Sequence, residues 1–361
     1  ATCYDTEGKE YIDMTSGIGV NSLGFCDNAW INAVTHQLQK LQHTSNLYYT
    51  TPCIEVAELV CKKSGMKKMF FANSGAEANE GVIKAARKYS FNKYGNNRTK
   101  IVSLENSFHG RTMASLSATG QDSYHNYFFP FVEGFVFAKA NDLEDTFSKL
   151  TDDVCAIMME MVQGEGGVLP LDYEYVKAVY DVCQQKDILF IVDEVQTGIG
   201  RTGTFFSYQQ FDIAPDLVSC AKGLGGGLPI GGVLFNEKTQ NCLVAGDHGS
   251  TFGGNPVVCA GSIEILNRLD ETLLNEVTTK GAFLKKQISA MPHVTDVVGM
   301  GMMLGVTLDV DAKEVMNKCL ERGLMVLLAK SKVRLLPPLT ITRGELEKGL
   351  TILADVLNNM D

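Results

Sequence analysis

The chain has no excess of positive charge, no apolar run long enough to span a bilayer, no zinc-spaced cysteines and no internal repeat. Each absence excludes something. A formal net charge of −10 argues against nucleic acid and against an anionic membrane surface. Short apolar runs exclude a transmembrane helix. Ten cysteines are present, but none forms a C-x-x-C pair and no Cys/His cluster has metal spacing, so no metal site is expected. Cys155, Cys183, Cys220 and Cys259 sit in apolar stretches, as reduced thiols of a cytoplasmic protein would. No signal-peptide pattern opens the chain. It begins at Ala1 rather than at methionine, so an upstream segment is expected to be missing.

What is present suits a large globular core. The 361 residues are 45% hydrophobic and 20% charged, enough for two or three domain-sized units. Near-continuous runs of Val, Ile, Leu, Met and Phe predict buried strands over 68–72, 101–104, 156–162, 188–192, 217–221 and 232–235. Helical patterns over 76–94 and 173–186 lie between them. That alternation implies an α/β layer structure with a mostly parallel sheet. The ends read differently, with a helix over 29–41, a strand over 302–308, a helix over 312–321 and a terminal helix from Gly344. The expected organisation is a large domain over 43–260. Residues 1–42 and 261–361 pack together as a smaller α+β domain.

Five segments carry candidate chemistry. Asn73-Ser74-Gly75-Ala76-Glu77 follows a strand and opens a helix, with Ser74 as N-cap and Glu77 closing a capping box. Its free N–H groups suit a phosphate, although a plain helix cap would look the same. Phe108-His109-Gly110-Arg111 follows the next strand: an aromatic to stack on a flat ring and a cation to clamp a carboxylate, or a core Phe and a surface Arg. Asp193 ends a fully apolar strand, where an acid needs a partner. A protonated ring nitrogen would serve. Mg²⁺ would also serve, but no phosphate-loop sequence accompanies it. Lys222 ends another apolar strand and enters Gly223-Leu224-Gly225-Gly226-Gly227. Poor solvation there lowers an amine's pKa and frees it for Schiff-base chemistry, whereas a lone lysine near glycines is more often structural. Ser250-Thr251-Phe252-Gly253-Gly254-Asn255-Pro256 offers hydroxyls and N–H groups to an anion. Glu160 ends a strand, Glu165 lies in the segment that follows, and Arg334 lies in Val333-Arg334-Leu335-Leu336-Pro337-Pro338; a carboxylate and an arginine from such distant segments could meet at a site.

Taken in order, these segments resemble those of the class III aminotransferases, which have the fold-type I fold of pyridoxal 5′-phosphate (PLP) enzymes. The likeness runs from Asp5-x-x-Gly8-x-x-Tyr11-Ile12-Asp13 to the terminal helix. Within that class, segments 73–80, 108–112 and 250–256 are most similar to the acetylornithine aminotransferases.

The resemblance implies roles. Lys222 holds PLP as a Schiff base and shuttles a proton. Asp193 pairs with the pyridine nitrogen, Phe108 and Val195 sandwich the ring, and Gln196 reaches its phenolic oxygen. Ser74, Gly75 and Ala76 hold the phosphate, joined by Thr251 from the neighbouring subunit of a homodimer with shared sites. Arg111 binds the α-carboxylate, with Ser250 as a second substrate contact. Arg334 takes the second carboxylate of 2-oxoglutarate or glutamate, and Glu165 masks it in the other half-reaction. Met161 departs from the proline common in the family. The implied reaction is ping-pong transfer from N-acetylornithine to 2-oxoglutarate. Succinylornithine, N-succinyl-diaminopimelate, ornithine and 4-aminobutyrate aminotransferases are the alternatives, with a PLP aminomutase on the same fold beyond them. A PLP-fold binding protein without catalysis is disfavoured by the joint presence of Lys222, Asp193, Arg111 and Arg334.

Overall fold

A computed structural model describes residues 1–360. Its centre is a seven-stranded sheet built, in chain order, from β1 (Lys68–Ala72), β2 (Lys100–Leu104), β3 (Phe135–Ala138), β4 (Val154–Met159), β5 (Leu189–Asp193), β6 (Leu217–Cys220) and β7 (Gly231–Phe235). The spatial order is β1-β7-β6-β5-β4-β2-β3. All pairings are parallel except those of β7, which runs antiparallel to both β6 and β1. Every residue of β4, β5, β6 and β7 is buried. Helices on both faces explain why these strands lack polar alternation. The mostly parallel α/β sheet expected from the apolar runs is the one observed.

Strand order places the carboxyl ends of β2 and β4 at a reversal point. The connection after β2 runs outward to the edge strand β3, and the one after β4 runs inward to β5. Loops there part to opposite faces and leave a crevice.

Two expectations need correction. The apolar run over 156–162 is not one strand. β4 ends at Met159, and a separate short hairpin, Val162–Gln163 with Leu169–Pro170, follows. The break falls at Glu160, whose carboxylate turns to accept two backbone N–H groups. The capping box at Ser74 is also only half formed. Ser74 Oγ accepts the Glu77 N–H at 3.1 Å, but Glu77 Oε2 accepts from the N–H and Nδ2 of Asn73, not from Ser74.

A second, four-stranded antiparallel sheet has the order Val294–Met300, Met303–Leu308, Lys332–Leu335, Leu327–Ala329. In it Arg334 lies directly opposite Gly305. A Cβ on Gly305 would stand 2.7 Å from Cβ of Val168, so the missing side chain lets the hairpin reach this sheet. The chain's beginning and end also meet. Strand Leu324–Met325 pairs with Glu10–Asp13, and the Ala1 ammonium lies 2.6 Å from Glu345. No helix among the described residues is long and apolar enough to cross a membrane.

Candidate active site

The carboxyl ends of the central strands surround a cavity of about 420 Å³. Ser74, Gly75, Ala76, Phe108, Arg111, Asp193, Val195, Gln196 and Lys222 all line it. These come from four separate stretches of chain, joined only by the fold.

One wall is the start of helix Gly75–Tyr94. Ser74 is its N-cap in extended conformation. The N–H groups of Gly75 and Ala76 lie in its first turn, where no intrahelical acceptor exists. Val195 packs over this turn, and a Cβ on Gly75 would stand 2.6 Å from Val195 Cγ1. Gly231 has the same function from β7, since a Cβ there would sit 2.3 Å from the Ser74 carbonyl oxygen.

Asp193 is buried at the end of β5, and three donors offset its desolvation. Its Oδ2 accepts from Asn79 Nδ2 at 2.7 Å and from His109 Nδ1 at 2.8 Å. Its Oδ1 accepts the Val195 N–H at 2.9 Å and retains a lone pair. Because Oδ2 can only accept, Nδ1 of His109 carries the proton. The ring's Nε2 faces Ser103 Oγ at 3.1 Å. Burial opposes a charge on His109, but the hydrogen bond and charge of Asp193 outweigh it and raise its pKa above the ordinary histidine value. Asn79 Nδ2 also donates to the His109 carbonyl at 2.6 Å.

Lys222 leaves β6 with φ +41°, the left-handed region. A non-glycine there costs about 1–3 kcal/mol and persists only when its surroundings enforce it. Among the described residues no hydrogen-bond acceptor or ion pair holds its side chain. Burial lowers its pKa first, Glu165 opposes that, and Arg334 adds to it. The amine is thus depressed and unengaged, the state a nucleophilic lysine needs.

Beyond Gln196 lies a second charged group. Arg334 Nη1 donates to Glu165 Oε1 at 2.7 Å and to Gln196 Oε1 at 3.2 Å. Gln196 Nε2 donates to Glu165 Oε1 at 3.4 Å. Arg334 is buried, and its Nε has no partner among the described residues. Burial would raise the Glu165 carboxyl, but Arg334 outweighs that and holds it below the ordinary range. Both ends of the Gln196 carboxamide are therefore engaged by the ion pair.

Arg111, by contrast, is exposed and has no acidic partner among the described residues. Its guanidinium lies 4.5 Å from the ring centre of Tyr124 and 5.6 Å from that of Phe108. Cation–π contacts hold it without neutralising it. Ser250 stands outside the cavity, its Oγ accepting from Asn73 Nδ2 at 3.0 Å. Thr251 is exposed and does not line the cavity of its own chain. The sequence reading gave no role to Asn79, His109 or Glu160. For Asn79 a signal existed: it lies four residues after Gly75, one turn along the same helix face.

The comparisons agree on one group. The family described as aminotransferase class-III matches residues 1–357. The acetylornithine aminotransferase of Haemophilus ducreyi is 54% identical over 99% of this chain and 92% of that protein. That of Caldanaerobacter subterraneus subsp. tengcongensis is 46% identical over 99% and 92%. Among solved structures, the ornithine aminotransferase from Toxoplasma gondii has a TM-score of 0.94 at 30% identity, covering 99% of this chain and 88% of that one. The N-acetylornithine aminotransferase from Stenotrophomonas maltophilia K279a has a TM-score of 0.86 at 34% identity, covering 99% and 93%.

Proposed function

Because this chain belongs to the class III aminotransferases, we propose that it transfers an amino group from N-acetylornithine to 2-oxoglutarate. Its cofactor is pyridoxal 5′-phosphate. The residues lining the cavity fit that group. Free N–H groups of Gly75 and Ala76 suit a phosphate, Asp193 keeps a lone pair for a ring nitrogen, and Lys222 offers an unengaged amine. Phe108 and Val195 are the flanking apolar residues. When bound, PLP supplies an electron-withdrawing ring that stabilises charge at the substrate α-carbon. The Lys222 amine, its pKa lowered by burial, would take and return the proton at that carbon. Asp193, oriented by Asn79 and His109, keeps the ring nitrogen protonated.

The observation that carries the substrate assignment is the unequal state of the two arginines. Arg111 is open, and Arg334 is masked by Glu165. With the mask closed, the site offers one cation, which suits a donor with one carboxylate and a neutral acyl end. When Glu165 moves away, it offers two, which suits the dicarboxylate 2-oxoglutarate. Ser250 is a further substrate contact at the rim. Residues 43–260 form the cofactor-binding domain in this reading, and 1–42 with 261–361 the smaller one.

The active unit is a homodimer. Thr251 is exposed beside Phe252 (62% exposed), and Tyr49 (94%) and Tyr127 (84%) are further exposed aromatic side chains. Apolar area of that kind favours a second copy. Thr251 would then reach the phosphate of its partner's site.

The test uses purified protein, PLP and 2-oxoglutarate with N-acetylornithine, succinylornithine, N-succinyl-diaminopimelate, ornithine and 4-aminobutyrate as donors. The expected result is the highest kcat/KM for N-acetylornithine. A poorer rate with N-acetylornithine than with free ornithine overturns the assignment.

A further inference from the structure

Glu160 is a buried carboxylate that lines the cavity, and the chemistry above leaves it unused. Its two oxygens accept from two different loops. Oε1 accepts the N–H of Phe108 at 2.9 Å. Oε2 accepts the N–H of Gly164 at 3.3 Å. The first loop follows β2 and carries Phe108 and Arg111. The second opens the hairpin that carries Glu165. Both N–H groups lie beyond the ends of β2 and β4, where no sheet partner remains for them. A carboxylate suits this place because it accepts twice and brings no donor of its own.

Other contacts join the same loops. Gln163 Nε2 donates to the Glu105 carbonyl at 2.8 Å, and Gly166 approaches the Asn106 carbonyl so closely that a Cβ would stand 2.4 Å from it. Glu105, Asn106 and Gln163 line a separate cavity, not this one. Glu160 is the tie on the substrate side.

We propose that Glu160 is a positioning residue that fixes the Phe108–Arg111 loop against the Glu165 hairpin. It thereby sets the span between Arg111 and the Glu165–Arg334 pair, and with it the length of diacid the site accepts. The effect on diacid length requires both arginines to be carboxylate sites, whereas the tie between the loops does not. Burial pushes the Glu160 carboxyl up to about 7, with His109 pulling it down and Asp193 adding to the rise. The carboxylate form is therefore best studied at mildly alkaline pH.

Two variants of the holoenzyme separate the possibilities. Glu160→Gln keeps the shape but turns one acceptor into a donor facing an N–H group. Glu160→Asp keeps the charge but is one methylene too short to hold both loops. Hydrogen exchange read by mass spectrometry is the first measurement. Peptides over 105–111 and 161–168 should together exchange about tenfold faster in Glu160→Gln, the loss of roughly one charge-assisted hydrogen bond. Helix Gly75–Tyr94 should be unchanged. In Glu160→Asp one of the two peptides should stay protected.

The second measurement is the preference for 2-oxoglutarate over oxaloacetate, one methylene shorter, as amino acceptor. It should fall about tenfold in Glu160→Gln and by less in Glu160→Asp. Unchanged exchange in both peptides overturns the proposal. So does lost activity with an unchanged preference, since a merely structural role predicts that pattern. If wild-type protein does not use N-acetylornithine at all, the substrate assignment fails while the exchange result still decides the loop tie.

Discussion

An amine must be neutral and unengaged before it can bond a carbonyl carbon, and the surroundings of Lys222 favour both conditions. Burial depresses it, and no acceptor among the described residues claims it. Glu165 shows the opposite case. Its carboxyl is held below the ordinary range, against burial, by Arg334. The sign follows: the pair's stabilising contribution is present above the unfolded carboxyl value, near 4.3, and is lost as pH falls through the lower folded value. The urea stability gap between wild type and Glu165→Gln should therefore be largest near neutral pH and shrink on acidification. A gap that widens in acid contradicts the assignment. Glu165→Ala should also unmask Arg334, favouring glutamate over N-acetylornithine by about tenfold or more in the two donor half-reactions. Lys222 and Asp193 could be read from sequence because each is a charge at the end of an apolar strand. His109 could not, because it acts through Asp193, 84 residues away, and Asn79 offered only its place one turn after Gly75, since its contact with Asp193 spans 114 residues of chain.

The start of helix Gly75–Tyr94 is assembled from both sides, by Val195 over Gly75 and by Gly231 under Ser74. Gly75→Ala puts a methyl 2.6 Å from a valine side chain, which has to shift. It should weaken PLP binding about tenfold, measured by absorbance titration of apoprotein, with far-ultraviolet circular dichroism unchanged. Gly231→Ala meets backbone instead and has nowhere to yield. It should lower stability by about 1–3 kcal/mol in urea unfolding. Ser74→Ala should cost about 1 kcal/mol through the lost cap. The buried parallel strand 189–193 could be read because its residues are uniformly apolar up to Asp193, and 68–72, which pairs antiparallel with β7, because Met69 to Ala72 are apolar. The edge strand Phe135–Ala138 and the strand Val294–Met300 were not singled out. The first is four residues long, and the second mixes exposed and partly buried positions with a single buried one. The hairpin after β4 was hidden because Met161 and Val162 continue the apolar pattern past the break at Glu160.

A single chain leaves Thr251 outside its own cavity and a set of aromatic side chains exposed to water. The proposed second copy would account for both, and sedimentation should give a dimer. Shared sites have a sharper consequence. Lys222→Ala and Thr251→Asp homodimers should each be inactive or nearly so. Mixed dimers should regain activity, since one of their two sites then has Lys222 from one chain and Thr251 from the other. No recovery on mixing would contradict shared sites. The order of the motifs along the chain made the fold readable, but no pattern in one sequence reports which surface meets another chain. The account as a whole depends on Lys222. Holoenzyme reduced with borohydride, digested and examined by mass spectrometry should have the phosphopyridoxyl group on the peptide containing Lys222, and Lys222→Ala should acquire none. Attachment at another lysine, or the same labelling in Lys222→Ala, would contradict it.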